Sequence, residues 1–147
     1  MIAWLRRLLA DEQGAVLAEV AVYVPAAALL AAMVWAYGAT DTARSSVLHA
    51  AISAARVASL APTAAKAQQE ATATAHQVLD EHKLPCHTLT VTVDTAGFRV
   101  PVGQFAMVNA EVTCQISLAD LYVSGLQGDQ TIRERWVSAL DTFRTRT

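Results

Sequence analysis

Few residues in this chain are of types that could do chemistry, and the clearest candidates are the two cysteines, Cys86 and Cys114. A disulfide between them would close a loop of roughly 28 residues and stabilise the fold by about 3–4 kcal/mol on the chain-entropy model. Disulfides persist outside the cytoplasm, so the prediction depends on which side of a membrane this part of the chain occupies. The alternative is two unrelated buried thiols.

A second candidate is a metal site formed by His82, Cys86 and His87. Imidazole and thiolate are ligands that zinc prefers, but structural zinc sites supply four ligands in closely spaced pairs. This stretch lacks a fourth ligand, and its sulfur is better used in a disulfide. We therefore predict no metal and no cofactor.

Nucleophilic catalysis finds no support in the residue spacing. Ser53, Ser59 and Ser124 lack the surroundings of a nucleophile elbow, and no glycine-rich loop is present that could hold a phosphate. His49 and His76 have no carboxylate at a triad-like spacing and are expected to be solvated. The sequence predicts a protein that is not an enzyme.

Glu19 is a carboxylate in unusual surroundings. It is the only charged residue between Gln13 and Thr40, and the 21 residues from Val20 to Thr40 are all uncharged. As a helix these residues would extend about 31 Å, close to the roughly 30 Å of a hydrocarbon core. The sequence therefore predicts a single-pass transmembrane helix with a carboxylate near its start, where an unpaired charge is costly.

The charges around this segment predict its orientation. Arg6 and Arg7 precede it, whereas the residues just after it carry one charge of each sign. The positive-inside rule then places the N-terminus in the cytoplasm and the C-terminal part outside. A cleaved signal peptide is the alternative, because Ala36-Tyr37-Gly38 fits a small-x-small cleavage site, but the apolar regions of signal peptides are shorter.

The composition excludes two further classes of protein. The chain has 147 residues, 54% of them apolar, and a formal charge of −2. It is therefore neither a basic nucleic-acid-binding protein nor an acidic disordered tail.

The elements that must position these residues follow from periodicity. Residues 41–60 contain neither Gly nor Pro, which predicts that the membrane helix continues outward as a stalk. Pro25 is expected to kink the helix within the bilayer. A second helix is predicted over Thr63–Lys83, between Pro62 and Pro85, from apolar residues spaced by three or four.

After Cys86 the apolar residues alternate with a period of two, which predicts an antiparallel sheet. Its three strands are expected at 88–94, 108–118 and 131–137. The third is predicted to be an exposed edge strand, because Glu134 shares the parity of Ile132 and Trp136.

The two cysteines have different parities in this sheet. Cys114 lies on the apolar side of its strand, whereas Cys86 has the polar parity of the first strand. Either Cys86 precedes the regular strand or a bulge reverses the alternation. If the bridge joins directly opposed positions, the turn between the two strands lies near Val100.

The N-terminal residues resemble those of type IV prepilins, in which a short basic leader ends in Gly and the mature helix carries Glu at its fifth position. Here Gly14 is followed by Ala15-Val16-Leu17-Ala18-Glu19. The resemblance implies that a prepilin peptidase cleaves between Gly14 and Ala15. It also implies that Glu19 faces the free amine of Ala15 on a neighbouring subunit.

Further segments carry a narrower resemblance, and they are Asp11-Glu12-Gln13-Gly14, Glu19, Pro25, Val112-Thr113-Cys114, Leu118-Ala119-Asp120-Leu121, Gly125-Leu126-Gln127-Gly128 and Asp141-Thr142-Phe143-Arg144. Together they resemble one family, the TadE/TadG-like minor pseudopilins of tight-adherence (Flp) pilus systems. This implies a non-catalytic minor subunit of the cytoplasmic membrane or a cell-surface pilus, acting in a hetero-oligomer with other pilin-like subunits and the pilus assembly machinery. The alternatives are a signal-anchored cell-surface binding protein and a pseudopilin of a secretion or DNA-uptake apparatus.

The expected fold is α+β and pilin-like. A leader at 1–14 precedes a transmembrane helix at 15–40 and a helical stalk at 41–61. Residues 62–147 form a small domain outside the cytoplasm, in which a second helix packs on an antiparallel sheet closed by one disulfide.

Overall fold

One long helix opens the described part of the chain. The computed structural model describes residues 12–117, 119–120 and 128–143, with residues 12–19 described by their backbone alone. Helix α1 spans Glu12–Leu60 and continues through Pro25, so the kink expected at that proline stays a prediction. Residues 1–11 of the expected leader and the expected loop at Gly125 lie outside the described residues.

The chain divides into two compact units, Met1–Gly38 and Ala39–Thr147. The second unit includes the part of α1 that was predicted to be a stalk. There a stripe repeating every three or four residues is buried, as expected for one face of a helix. The stripe consists of Ala43, Val47, Ala50, Ala51, Ala54, Ala55 and Ala58. This part of α1 therefore supplies core to the second unit.

The second predicted helix is confirmed as α2, Ala64–Glu81. The hydroxyl of Thr63 caps it by accepting a hydrogen bond from the backbone N–H of Lys66 at 3.1 Å. Its buried residues recur at spacings of four, and they are Ala67, Ala71, Ala75 and Leu79.

The predicted antiparallel sheet is also confirmed. Its strands are β1 (Thr88–Asp94), β2 (Met107–Ser117) and β3 (Asp129–Ala139), in the order β1-β2-β3. A short 3₁₀ helix, Ala96–Arg99, follows β1. One face of the central strand is fully buried, and its residues are Val108, Ala110, Val112, Cys114 and Ile116. The fold is thus α+β, with two helices and a three-stranded sheet among the described residues.

The register of β1 on β2 differs from the expectation. Cys114 is opposite Leu89 in the ladder, not opposite Cys86. The centre of the connection therefore lies between Pro101 and Val102, close to the turn expected near Val100. What is wrong is the pairing of the two cysteines in the ladder: Cys86 precedes β1, so the bridge joins two positions that are not partners.

Side-chain contacts fix the helices to the sheet. From α1, the Arg44 Nε donates to Glu134 Oε1 at 2.6 Å, and Ser59 Oγ accepts from Ser138 Oγ at 3.1 Å. From α2, Gln68 accepts from the Val93 N–H and donates to the Val91 carbonyl, both at 2.9 Å. Helix α1 therefore contacts β3, and α2 contacts β1.

Gly97 allows the 3₁₀ helix to approach β2 closely. A Cβ at this position would collide with the carbonyl oxygen of Met107 and lie 2.9 Å from Leu140 Cδ1. We expect Gly97→Ala to lower the free energy of unfolding by about 2–3 kcal/mol, because overpacking forces the backbone to shift. Denaturant unfolding followed by circular dichroism measures this.

Gly38→Ala is the control, since a Cβ there meets nothing within 4 Å and Ala favours a helix over Gly. Its unfolding midpoint should equal or exceed that of the parent. A Gly97→Ala midpoint indistinguishable from the parent would contradict the close approach.

Candidate functional site

The first candidate site is the apolar surface of α1. Among the described residues, one helix is long and apolar enough to cross a membrane, and its apolar window is entirely exposed. The apolar window of α1 is therefore not part of the core of this chain, and a signal sequence near the N-terminus would have the same length and composition. The exposed large side chains are Val20, Val22, Tyr23, Val24, Leu29, Leu30, Met33, Val34, Trp35 and Tyr37.

The residues predicted to act in processing and assembly belong to this same helix. Gly14, Ala15, Glu19 and Pro25 all lie within α1. Positions 15 and 19 are four residues apart, which places them about one turn from each other along a helix.

The predicted disulfide is present. Cys86 and Cys114 are joined with their Cα atoms 5.4 Å apart, a usual separation for such a bridge. Cys114 is fully buried in β2, whereas Cys86 is half-buried and lies just before β1. The bridge thus ties the segment that leaves α2 to the central strand, and of the two explanations for the parity of Cys86, the first is right.

The three residues weighed as metal ligands do not come together as a ligand set. Cys86 is in the disulfide, the ring of His82 stacks on that of His49, and His87 Nε2 lies 2.9 Å from Asp120 Oδ2. Within residues 12–117, 119–120 and 128–143, no group of three or more His, Cys, Asp or Glu side chains could hold a metal ion.

The serines that were considered as nucleophiles have structural surroundings where they are described. Ser59 Oγ donates to the Arg56 carbonyl at 2.8 Å and accepts from Ser138. Ser53 is half-buried on α1, and Ser124 lies outside the described residues. His49 and His76 are both exposed, as expected.

The sequence analysis missed an apolar cluster on the outer face of the sheet. Met107 is opposite Ala139 in the ladder, and the backbone pairing continues past it, with the Leu140 N–H donating to the Ala106 carbonyl at 2.9 Å. Odd-numbered residues at this end therefore share the outer face. The exposed large apolar residues of the strands on that face are Met107 and Val137, and Phe105 and Phe143 are exposed outside the strands; these four residues are hereafter called the apolar end.

Parity alone could have revealed the apolar end. The alternation in β2 predicts that its even-numbered positions are buried. The same alternation places Met107, an odd-numbered large apolar residue, on the opposite face. Phe143 is 90% exposed, so it does not support the core. An exposed cluster of this kind is typical of a contact surface.

A second missed feature is the ion pair between Arg44 and Glu134. The Glu134 side chain is only 16% exposed, and it lies on the same side of β3 as the buried Ile132. The Arg44 guanidinium neutralises it, which is why a carboxylate is tolerated there. The two residues are 90 positions apart, and no local pattern could have paired them.

No protein-family model matches this chain, and neither a curated protein nor a solved structure matches it.

Replacing both bridged cysteines tests the structural role of the disulfide. We expect Cys86→Ser with Cys114→Ser to lower the free energy of unfolding by about 3–4 kcal/mol, since the bridge closes a long loop. Thermal melts of the full chain in detergent measure the loss. Membrane insertion should be unchanged, because it depends on residues before Asp41.

The matched control is the parent protein under reducing conditions, which should melt like the double variant. Thiol labelling of the denatured, non-reduced parent should find no free thiol. Superimposable melts of parent and variant, or two labelled thiols, would show that the bridge does not stabilise the fold.

Proposed function

We propose that this protein is a minor pilin-like subunit that takes part in assembling a tight-adherence pilus and acts by packing, without catalysis. One observation carries the proposal. Gly14 and Glu19 stand five positions apart at the head of a continuous helix whose large apolar side chains are exposed from Val20 to Tyr37. The proposed location is the cytoplasmic membrane, with the N-terminus inside and the unit 39–147 outside.

The proposed role of Glu19 follows from the cost of a charge in lipid. An unpaired carboxylate within an apolar span is unfavourable, and such residues are usually paired. Cleavage after Gly14 would create a positively charged amine at Ala15. Pairing Glu19 with that amine on a neighbouring subunit neutralises both charges, so association is favoured over isolation and the register between the two helices is set.

The position of Gly14 within α1 suits a cleavage site. A peptidase must bind an extended segment, so the helix must unwind locally at Gly14 and Ala15. Glycine destabilises a helix by about 1 kcal/mol relative to alanine, which lowers the cost of unwinding. The proposed partners are therefore a prepilin peptidase, other pilin-like subunits and the assembly machinery.

The apolar end supports a role in contacts between subunits. Phe105, Met107, Val137 and Phe143 expose large apolar side chains on the unit 39–147, and such surfaces are typical of protein contacts. A signal-anchored surface-binding protein would use this surface equally well, and that alternative differs in leaving Gly14 uncleaved. A pseudopilin of a secretion or DNA-uptake apparatus would be cleaved but would assemble with different subunits.

Processing at Gly14 is tested by substitution. We expect Gly14→Leu to leave an inserted precursor that is heavier by the leader, because a bulky side chain blocks the peptidase. Mass spectrometry of the membrane fraction, from cells with and without the peptidase, measures this. Gly14→Ala is the control and should be cleaved.

N-terminal sequencing of the processed parent should begin at Ala15. An intact Met1 would support the plain membrane anchor, and a start near Ala39 would indicate a signal peptide. Normal trimming of Gly14→Leu would exclude the assigned cleavage site.

Assembly through Glu19 is tested by removing its charge. We expect Glu19→Ala to insert at least as well as the parent, since it removes a costly charge from the apolar segment, but to lose crosslinks to co-expressed pilin-like subunits. Glu12→Ala is the matched control, because that carboxylate would leave with the leader. Unchanged crosslinks together with normal pilus assembly in Glu19→Ala would remove Glu19 from the mechanism.

A further inference from the structure

Two histidines from different helices lie side by side on the surface of the unit 39–147. The ring centroids of His49, on α1, and His82, at the end of α2, are 5.9 Å apart, and their planes differ by only 10°. Both side chains are exposed. The core does not require them, and the proposed function does not use them.

The backbone on both sides of this pair is fixed. His82 is the C-cap of α2, which ends in a Schellman motif: the Lys83 N–H donates to the Asp80 carbonyl and the Leu84 N–H to the Leu79 carbonyl, both at 3.0 Å. On α1, His49 directly precedes Ala50 and Ala51, which are fully buried. The backbone positions of the two histidines are therefore held close together by packing, before any ligand binds.

This spacing suits one ion bound by both rings. Two nitrogens that bind one tetrahedral Zn²⁺ at about 2.0–2.1 Å lie about 3.4 Å apart. In the observed arrangement the rings are stacked with their centres 5.9 Å apart, so binding one ion requires the exposed side chains to rotate until one nitrogen of each ring points at it. No backbone ordering is needed, because both backbones are already in place.

We propose that His49 and His82 together bind a divalent transition-metal ion, with water completing the coordination. Imidazole is a ligand for Zn²⁺, Ni²⁺ and Cu²⁺, and affinity for a nitrogen site rises to Cu²⁺ in the Irving–Williams order. Mg²⁺ and Ca²⁺ prefer oxygen ligands and should not bind. A bound ion would link α1 to the end of α2, four residues before the disulfide at Cys86.

The chain offers matched controls for this site. His76 is an exposed histidine on α2, and it is not part of the stacked pair. His87 lies against Asp120. Substituting either residue removes an imidazole of the same chemistry without touching the proposed ligands.

The test is calorimetric titration of the full chain in detergent, purified without a histidine tag and stripped of metal. Zn²⁺ and Cu²⁺ should each bind at one ion per chain and raise the thermal midpoint, with Cu²⁺ the tighter, and Mg²⁺ should do neither. His49→Ala and His82→Ala should each weaken Zn²⁺ binding by roughly tenfold or more. His76→Ala and His87→Ala should bind as the parent does.

Equal Zn²⁺ affinities in the parent, His49→Ala and His82→Ala would overturn the proposal, as would loss of binding in His76→Ala or His87→Ala. His82→Asn retains a residue that is tolerated at the end of a helix, so it guards against a folding defect in His82→Ala. If His82→Asn melts like the metal-free parent but still gains stability with Zn²⁺, the ion binds elsewhere and the site is wrong.

Discussion

Packing through alanine is the constraint on which the unit 39–147 depends. The buried stripe of α1 is alanine except at Val47, and α2 buries Ala67, Ala71 and Ala75. Small side chains let backbones approach closely, but each removes little apolar area from water, so each contributes less hydrophobic stabilisation than a leucine would. Four of the five largest fully buried side chains come from β2, and the disulfide joins that same strand to the segment leaving α2. The disulfide, the hydrogen bonds of Gln68 to β1 and the Arg44–Glu134 ion pair thus supplement a core that buries little apolar area.

The elements of this fold could be predicted because their signals are local. Helix α2 lies between Pro62 and Pro85, its buried residues follow the helical period, and the buried residues of β2 follow the strand period. The register was wrong because it depends on the conformation of the connection. The 3₁₀ helix Ala96–Arg99 occupies part of that connection, and the alternation of apolar residues carries no information about it. The cysteine positions predicted the wrong register for β1 on β2, because a disulfide need not join residues that are partners in a ladder.

The contacts that fix the helices on the sheet could not be predicted, because their partners are far apart in the chain. Gln68 bonds to the backbone of β1 on both sides of Thr92, as a neighbouring strand would, and thereby covers an edge of the sheet. The parity of Glu134 predicts an exposed edge strand, and β3 is an edge of the sheet, but the Glu134 side chain itself lies on the helix side and is paired with Arg44. A polar residue with apolar parity is therefore compatible with two structures, an exposed edge or a distant partner of opposite charge. Only the tertiary arrangement distinguishes them.

Helix α1 has two different surfaces along its length, and the change between them falls near the end of its uncharged segment. Before Gly38 the large apolar side chains are exposed, which suits lipid, whereas from Ala43 onward one face is buried and charged residues such as Arg44 and Arg56 lie on the exposed side. Glu19 is the exception in the apolar segment. Under the proposed function its cost in lipid is highest when the subunit is alone and falls when a neighbour supplies the amine. The rest of the apolar segment is suited to the bilayer. The lower cost of a paired Glu19 therefore favours lateral association of the subunit over its remaining alone in the membrane.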